Sequence, residues 1–150
     1  MGDILKEDID FIVSQDIPWE EFNNCTVLIS GANGFLPSYM VETFLHLNDY
    51  YKKNIKIIAI VRNHQRAENR FHHHLGRRDL NFIVQDVSLP IDVDEKIDYV
   101  IHAASQASPR YYSIDPVGTL NANILGTINL LEISKKITLK GFCSLALGGF

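Results

Sequence analysis

The chain has 150 residues, of which 46% are hydrophobic and 21% charged, and its net charge is −4. This composition predicts one globular domain with its own core, and the charge argues against a general nucleic-acid binder and a polybasic membrane patch. Two cysteines exclude a disulfide framework, the acidic N-terminus is unlike a signal peptide, and no apolar run reaches the roughly 18–20 residues of a membrane span, so a cytoplasmic protein is expected.

Hydrophobic periodicity predicts the elements in chain order. A helix within residues 3–15 forms an N-terminal extension, residues 1–24, ahead of the first strand. Apolar runs predict strands at residues 26–30, 56–61, 81–85, 98–102 and 142–147. Helices are expected at residues 37–48, 65–75 and 115–135. This alternation predicts an α/β fold over residues 25–150, a Rossmann-like doubly wound parallel sheet with helices on both faces.

A glycine-rich turn connects the first predicted strand to the helix that follows it. Gly31 and Gly34 stand three residues apart at this junction. The first glycine lets the chain reverse tightly, and the second lets the backbone approach an anion at the positive end of the helix. An ordinary β-to-α turn is the alternative interpretation. Flanked by a strand and a helix, the pair predicts a phosphate-binding turn.

Two later segments, Val100–Ser105 and Asp115–Leu131, resemble the fourth strand and the following helix of the extended short-chain dehydrogenase/reductase family. Within that family the chain is most similar to the nucleotide-sugar epimerases, dehydratases and decarboxylases. Residues Ala107–Tyr112 resemble the UDP-glucuronate decarboxylase branch. The resemblance covers roughly Asn24 to Phe142 and implies the strand order three-two-one-four-five, here in an incomplete sheet. Pro37 stands where the family usually has a third glycine, which a helix's first turn tolerates.

The resemblance implies that NAD or NADP binds at the carboxyl ends of the strands. Family members that bind NAD usually place an acid after the second strand, to hydrogen-bond the ribose. Here no acid occurs until Glu68, and Arg62 could pair with a 2′-phosphate, so both cofactors stay open. The structural alternatives are that Arg62 is only a solvated arginine at a strand end, and that Asp86, after the third predicted strand, only forms an Asx turn. The expected cofactor-binding residues are Gly31, Asn33, Gly34, Phe35, Leu36, Arg62, Asp86, Val87, Ala103, Ala104, Ser105 and Asn123.

The loop after the fourth predicted strand is polar and aromatic. By resemblance it would contact a nucleotide sugar, UDP- or dTDP-linked, with Arg110 supplying charge for the phosphates. A plain surface loop is equally compatible with these residue types. The expected substrate-binding residues are Ser108, Pro109, Arg110 and Tyr112. The resemblance also makes a homodimer an expectation.

The catalytic Tyr-x-x-x-Lys pair of the family has no counterpart in these 150 residues, because no tyrosine follows Tyr112. We therefore expect this chain to be the cofactor-binding portion of such an enzyme, to lack its catalytic residues and to be inactive by itself. A non-catalytic dinucleotide sensor and one half of a two-chain enzyme are the alternatives. The segment Phe142–Phe150 departs from the family pattern, and our hypothesis is a frameshifted tail, so Ser144 is not equated with the catalytic serine.

Two groups of titratable residues lie outside these motifs. His72, His73 and His74 are consecutive, and side chains about 100° apart on a helix do not converge on one ion. No cysteine or carboxylate cluster accompanies them, so we expect no metal site. The acidic residues Asp92, Asp94 and Glu95 are interpreted as a solvated loop.

Overall fold

The computed structural model describes residues 3–105, 114–135 and 139–145, and a five-stranded parallel sheet forms its centre. The order across the sheet is β3-β2-β1-β4-β5, as the resemblance implied. Each strand begins within two residues of the predicted position. The α/β doubly wound architecture is confirmed. The strands are β1 (Thr26–Ser30), β2 (Lys56–Val61), β3 (Leu80–Val84), β4 (Tyr99–His102) and β5 (Gly141–Ser144).

The helices are α1 (Asp3–Ser14), α2 (Phe35–Tyr51), α3 (His64–Arg70) and α4 (Pro116–Lys135). Two predicted helices differ from the observed ones. Helix α2 begins two residues earlier than expected, because Gly34 takes an extended conformation and caps it, and it ends three residues later, at Tyr51. The single helix predicted at residues 65–75 is divided, because Phe71 turns its fully buried side chain into the core and a 3-10 helix follows at His72–His74.

Alternating side chains of the strands pack into two separate apolar clusters, one on each face of the sheet. Val27 and Ile29 of β1 lie in the cluster beneath α1, α2 and α3. Leu28, between them, lies on the other face with Val100 of β4 and Leu130 of α4. This alternation follows from the two-residue repeat of a strand, and it explains why the strands are almost continuously apolar.

The N-terminal helix α1 is joined to the main domain by apolar packing. Ile9 is fully buried and Val13 is 7% exposed, and both belong to the same cluster as β1 and α2. The Trp19 indole nitrogen donates a hydrogen bond to the Val13 carbonyl oxygen at 3.2 Å, which fixes the end of the helix. Among the described residues, every helix is too short or too polar to cross a membrane.

Candidate functional site

The turn after β1 depends on the backbone conformation of Gly31. Its φ angle is +67°, a left-handed conformation that favours glycine. A Cβ atom there would lie 2.8 Å from the Ala104 Cα atom and 2.9 Å from the Ala103 carbonyl oxygen. Gly31 therefore brings the turn directly against the loop that follows β4. The Gly31 N–H also donates to the Ile60 carbonyl oxygen of β2 at 2.9 Å, which holds the turn at the end of the sheet.

The N-terminus of α2 points into the same region. The first intrahelical bond runs from the Ser38 N–H to the Gly34 carbonyl oxygen at 3.0 Å. The first-turn N–H groups of Phe35 and Leu36 have no acceptor within the helix, since a helix leaves its first N–H groups unpaired. Their side chains are 75% and 52% exposed, so any contribution to anion binding comes from the backbone. This end of a 17-residue helix favours an anion.

A cleft of about 600 Å³ opens beside the glycine turn, at the carboxyl ends of the strands. It lies at the switch point of the sheet, where the chain order reverses between β1 and β4. Most of the predicted cofactor residues line it, namely Gly31, Asn33, Gly34, Arg62, Asp86, Val87, Ala103, Ala104 and Ser105. Phe35 and Leu36 follow the lining residue Gly34, and Asn123 follows the lining residue Ala122 in α4. The structure thus brings together lining residues that are up to 91 positions apart in the chain, Gly31 and Ala122.

Sequence reasoning missed part of the lining that comes from α3. Arg66 and Arg70 lie one helical turn apart and both face the cleft, together with Asn63 and Asn69. The four-residue spacing of Arg66 and Arg70, which places both on one face of a helix, was the available signal. Arg70 donates from Nη2 to the Ser38 hydroxyl of α2 at 2.6 Å, which places its guanidinium beside the first turn of α2.

Asp86 stands at the end of β3 and also lines the cleft. Its Oδ1 atom accepts hydrogen bonds from the Ser88 N–H at 2.9 Å and the Ser88 hydroxyl at 2.7 Å. These two bonds hold the pKa of Asp86 below its usual value, and Arg62 lowers it further. Asp86 therefore both forms the Asx-type turn and lines the cleft. Its carboxylate is ionised at neutral pH.

A buried polar pair lies under the cleft. The Ser30 hydroxyl, at the end of β1, is 2.7 Å from Nδ1 of His102, at the end of β4. The Ser30 oxygen also accepts from the N–H groups of Ala103 and Ala104 at 3.2 Å. Burial lowers the pKa of His102, which favours a neutral imidazole, and in the tautomer protonated at Nε2 the Nδ1 atom accepts a hydrogen bond from the Ser30 hydroxyl. This pair fixes the loop that lines the cleft.

The His72–His74 segment has a carboxylate neighbour that the sequence did not reveal. Glu42 of α2 is only 2% exposed, and His74 Nε2 lies 2.7 Å from its Oε2 atom. His73 Nε2 lies 4.0 Å from the other oxygen. The expectation that no carboxylate accompanies the histidines was wrong, because Glu42 reaches them from another helix. The direct His74–Glu42 hydrogen bond ties the 3-10 helix to α2, and the expected absence of a metal stays a prediction.

The predicted substrate residues Ser108, Pro109, Arg110 and Tyr112 lie outside the described residues. The acidic segment interpreted as a solvated loop does lie on the surface, with Asp94 and Glu95 exposed. Lys56 pairs with Glu95 there, across the amino ends of the strands. This end of the sheet is opposite to the cleft.

Comparison with known protein families shows where this chain belongs. Residues 27–146 match the family model described as the NAD dependent epimerase/dehydratase family. The chain belongs to this family. UDP-glucuronic acid decarboxylase 3 from Arabidopsis thaliana is 31% identical over 114 residues, which are 76% of this chain and 31% of that protein. UDP-glucuronic acid decarboxylase 1 from Danio rerio is 31% identical over 112 residues, covering 74% and 25%.

Two solved structures of other proteins share the fold. Pen from Bacillus thuringiensis aligns with a TM-score of 0.68 at 19% identity, covering 82% of this chain and 38% of that one. WbmF from Bordetella bronchiseptica, solved in complex with NAD⁺ and UDP, aligns with a TM-score of 0.66 at 19% identity, covering 83% and 36%. This chain of the epimerase/dehydratase family spans about a third or less of the length of the curated relatives it matches.

Proposed function

We propose that this chain is the cofactor-binding portion of an NAD(P)-dependent enzyme that acts on a nucleotide sugar. One observation carries the proposal: the Gly31–Gly34 turn lines the cleft at the switch point of the sheet, and helix α2 begins directly after this turn. The nucleotide sugar is supported by the similarity to UDP-glucuronic acid decarboxylases. UDP-linked sugars are therefore the first substrates to test.

The lining of the cleft fits a dinucleotide. Gly31 and Gly34 leave the backbone bare where a pyrophosphate would approach, and Arg70 beside Ser38 supplies positive charge there. The small side chains of Ala103 and Ala104 leave room next to the turn. The Ser105 hydroxyl oxygen is buried and has no hydrogen-bond partner among residues 3–105, 114–135 and 139–145. A buried hydroxyl without a partner is costly, and a bound ligand would satisfy it.

The residues of this chain would bind and orient the cofactor. The bound nicotinamide supplies hydride transfer. The N–H groups of Phe35 and Leu36 would donate to the pyrophosphate, and Asp86 would accept a hydrogen bond from the adenine, as the family resemblance implies. His102 is neutral and holds Ser30, so its part is to keep the loop after β4 in place rather than to transfer a proton.

We further propose that the 150-residue chain has no turnover by itself. The family resemblance implies a tyrosine base assisted by a lysine four residues later, and none of the six tyrosines has lysine at that position. The test is an assay of the purified chain with UDP-glucuronate and NAD⁺ or NADP⁺. Sustained product formation would contradict this half of the proposal.

Cofactor binding is tested separately by calorimetry with NAD⁺ and NADP⁺. A Cβ atom on Gly34 would lie 3.1 Å from the Gly31 carbonyl oxygen and 3.2 Å from Pro37 Cγ, so Gly34→Val crowds the turn. We expect the affinity for the preferred nucleotide to fall tenfold or more, about 1.4 kcal/mol. Circular dichroism shows whether the variant is folded. Unchanged affinity in a folded variant, or no binding by the original chain, would overturn the assignment of the turn.

A further inference from the structure

Positive side chains outnumber negative ones in the lining of the cleft. Its described lining contains three arginines, Arg62, Arg66 and Arg70, and a single carboxylate, Asp86. Both hydrogen bonds of Asp86 go to Ser88, so this carboxylate does not pair with an arginine directly. Arg70 is held against the first turn of α2 by Ser38 and belongs to the pyrophosphate end. Arg62 and Arg66 therefore remain as a second positive group, next to the end of β2.

The end of β2 is where a dinucleotide's adenosine ribose is recognised. A carboxylate placed there accepts a hydrogen bond from the ribose 2′-hydroxyl, whereas arginine accommodates a 2′-phosphate. In this chain Arg62 follows β2 immediately. The first acid after it, Glu68, faces His64 at 3.6 Å and is absent from the described lining of the cleft. The described cleft thus offers guanidinium groups beside the carboxyl end of β2, and its one carboxylate, Asp86 at the end of β3, is already hydrogen-bonded to Ser88.

Local structure holds the two arginines on the same side of the turn. Asn63, which stands between them, caps α3, and its Oδ1 atom accepts the Arg66 N–H at 2.9 Å. This bond fixes the backbone between Arg62 and Arg66. Arg62 also lies close enough to Asp86 to lower the pKa of that carboxyl. Guanidinium groups match phosphate oxygens with paired hydrogen bonds, so two of them suit one phosphate monoester.

We infer that Arg62 and Arg66 bind the 2′-phosphate of an NADP-type dinucleotide, and that the cleft therefore prefers the 2′-phosphorylated cofactor. The inference rests on the proposed function, since it assumes that the pyrophosphate lies at the glycine turn. Cofactor specificity would then depend on one side chain that follows β2 and one that lies in α3. The 2′-phosphate is the only group that distinguishes NADP from NAD, so the test is a direct comparison of the two.

Calorimetry of the 150-residue chain with NADP⁺ and NAD⁺ measures the preference, with 2′,5′-ADP and 5′-AMP as probes of the adenosine half. We expect NADP⁺ to bind at least tenfold more tightly than NAD⁺, and 2′,5′-ADP more tightly than 5′-AMP. NADP⁺ affinity should also fall more steeply with added salt, because an additional ion pair is screened. Equal affinity for the two dinucleotides would overturn the inference and leave the proposed function standing. Failure of both to bind would overturn the two together.

Variants identify the residues. Arg62→Ala and Arg66→Ala should each lower NADP⁺ affinity about tenfold and change NAD⁺ affinity less than twofold. Arg62→Asp, which restores an acid after β2, should favour NAD⁺. Arg78→Ala is the matched control, because Arg78 is exposed and lies outside the lining of the cleft. Equal loss for both dinucleotides in the Arg62 and Arg66 variants would mean that these arginines serve the pyrophosphate, which contradicts the inference.

Discussion

At the scale of single residues, the cleft is shaped by one backbone conformation and a few buried polar contacts. Gly31 permits the close approach of two loops, and Ser30 with His102 ties those loops together beneath it. Glu42 is almost fully buried and depends on His74 for its hydrogen bond. A side chain at Gly31 would crowd backbone atoms, and loss of a partner would leave a buried polar group unpaired, so each feature gives a stability prediction.

Gly31→Ala is expected to destabilise the chain more than Gly76→Ala. Both glycines have positive φ, +67° and +81°, so both variants lose about 1–2 kcal/mol to a left-handed alanine. Only at Gly31 would the new Cβ meet backbone atoms, while at Gly76 nothing lies within 4 Å. We expect roughly 1–3 kcal/mol of additional loss at Gly31 from overpacking. Urea unfolding measures both, and equal losses would contradict the close approach.

The His102 environment predicts a pH dependence of stability. Burial lowers the pKa of His102 in the folded state, so below the unfolded value of about 6.5 the unfolded chain binds more protons. The free energy of unfolding should therefore be highest above pH 6.5 and fall as the pH decreases towards the folded pKa. Burial also lowers the pKa of His73, which adds to the trend. Urea unfolding from pH 7.5 to 5.0 measures how the free energy of unfolding changes with pH. This change should be smaller in His102→Gln than in the control variant His72→Gln.

His74→Ala is expected to cost about 2 kcal/mol or more, because it leaves the buried Glu42 carboxylate without its partner. His72→Ala is the control, since His72 is exposed and contacts only Asn69 and His73 among the described residues. Thermal unfolding at neutral pH compares the two variants. Equal melting temperatures would show that Glu42 does not need His74.

At the scale of elements, the helices differ in how much they contribute to the core. Helix α1 precedes the nucleotide fold yet places Ile9 and Val13 in the same cluster as β1 and α2. The packing of this helix is therefore part of the domain's stability, although the domain boundary near residue 24 stays a prediction. Tyr39 of α2 also donates to Asp8 of α1 at 2.9 Å, on the exposed side of the contact.

Ile9→Ala should lower the free energy of unfolding by about 2–4 kcal/mol, because it leaves a cavity at a fully buried position. Phe11→Ala, on the same helix, is the matched control, since Phe11 is 67% exposed and its loss should change stability by less than about 0.5 kcal/mol. Urea unfolding compares the two. If the two losses are equal, α1 does not dock as the structure shows.

At the scale of the whole molecule, one surface stands out. Helix α4 presents a row of exposed apolar side chains spaced three and four residues apart, which are Val117, Leu120, Ile124, Ile128 and Leu131. Together they make one apolar stripe along a 20-residue helix. Contiguous apolar patches on a soluble domain are sites of association. The stripe is therefore a candidate contact surface for the homodimer that the family resemblance makes an expectation.

The chain is expected to associate through this stripe at micromolar concentrations. Replacing Leu120, Ile124 and Ile128 together with lysine should shift the chain towards a monomer in multi-angle light scattering, because lysine keeps the helix and removes the apolar face. The control triple replaces Phe11, Tyr50 and Leu75, which are 52–68% exposed on other surfaces. Loss of association in both triples, or in neither, would contradict a role for α4.

The sequence by itself determined the strands, the glycine turn and the long helix α4. Strands such as Lys56–Val61 are continuous apolar runs, and the turn needs its glycines at fixed spacing, so both are readable over a few residues. Boundaries were less accurate. Phe71 ended α3 early because a buried aromatic side chain outweighed the local helical pattern, and Gly34 started α2 early by capping it.

Only the tertiary structure decided which side chains meet. Ser30 and His102 are 72 residues apart, and Glu42 and His74, like Ser38 and Arg70, are 32 apart. These contacts depend on which strand ends lie side by side and on how α2 and α3 rotate against the sheet. No local pattern encodes that rotation, because it minimises the packing energy of the whole core. Arg62 could therefore be singled out from its place after a strand, whereas Arg66 and Arg70 joined it only once α3 was in position.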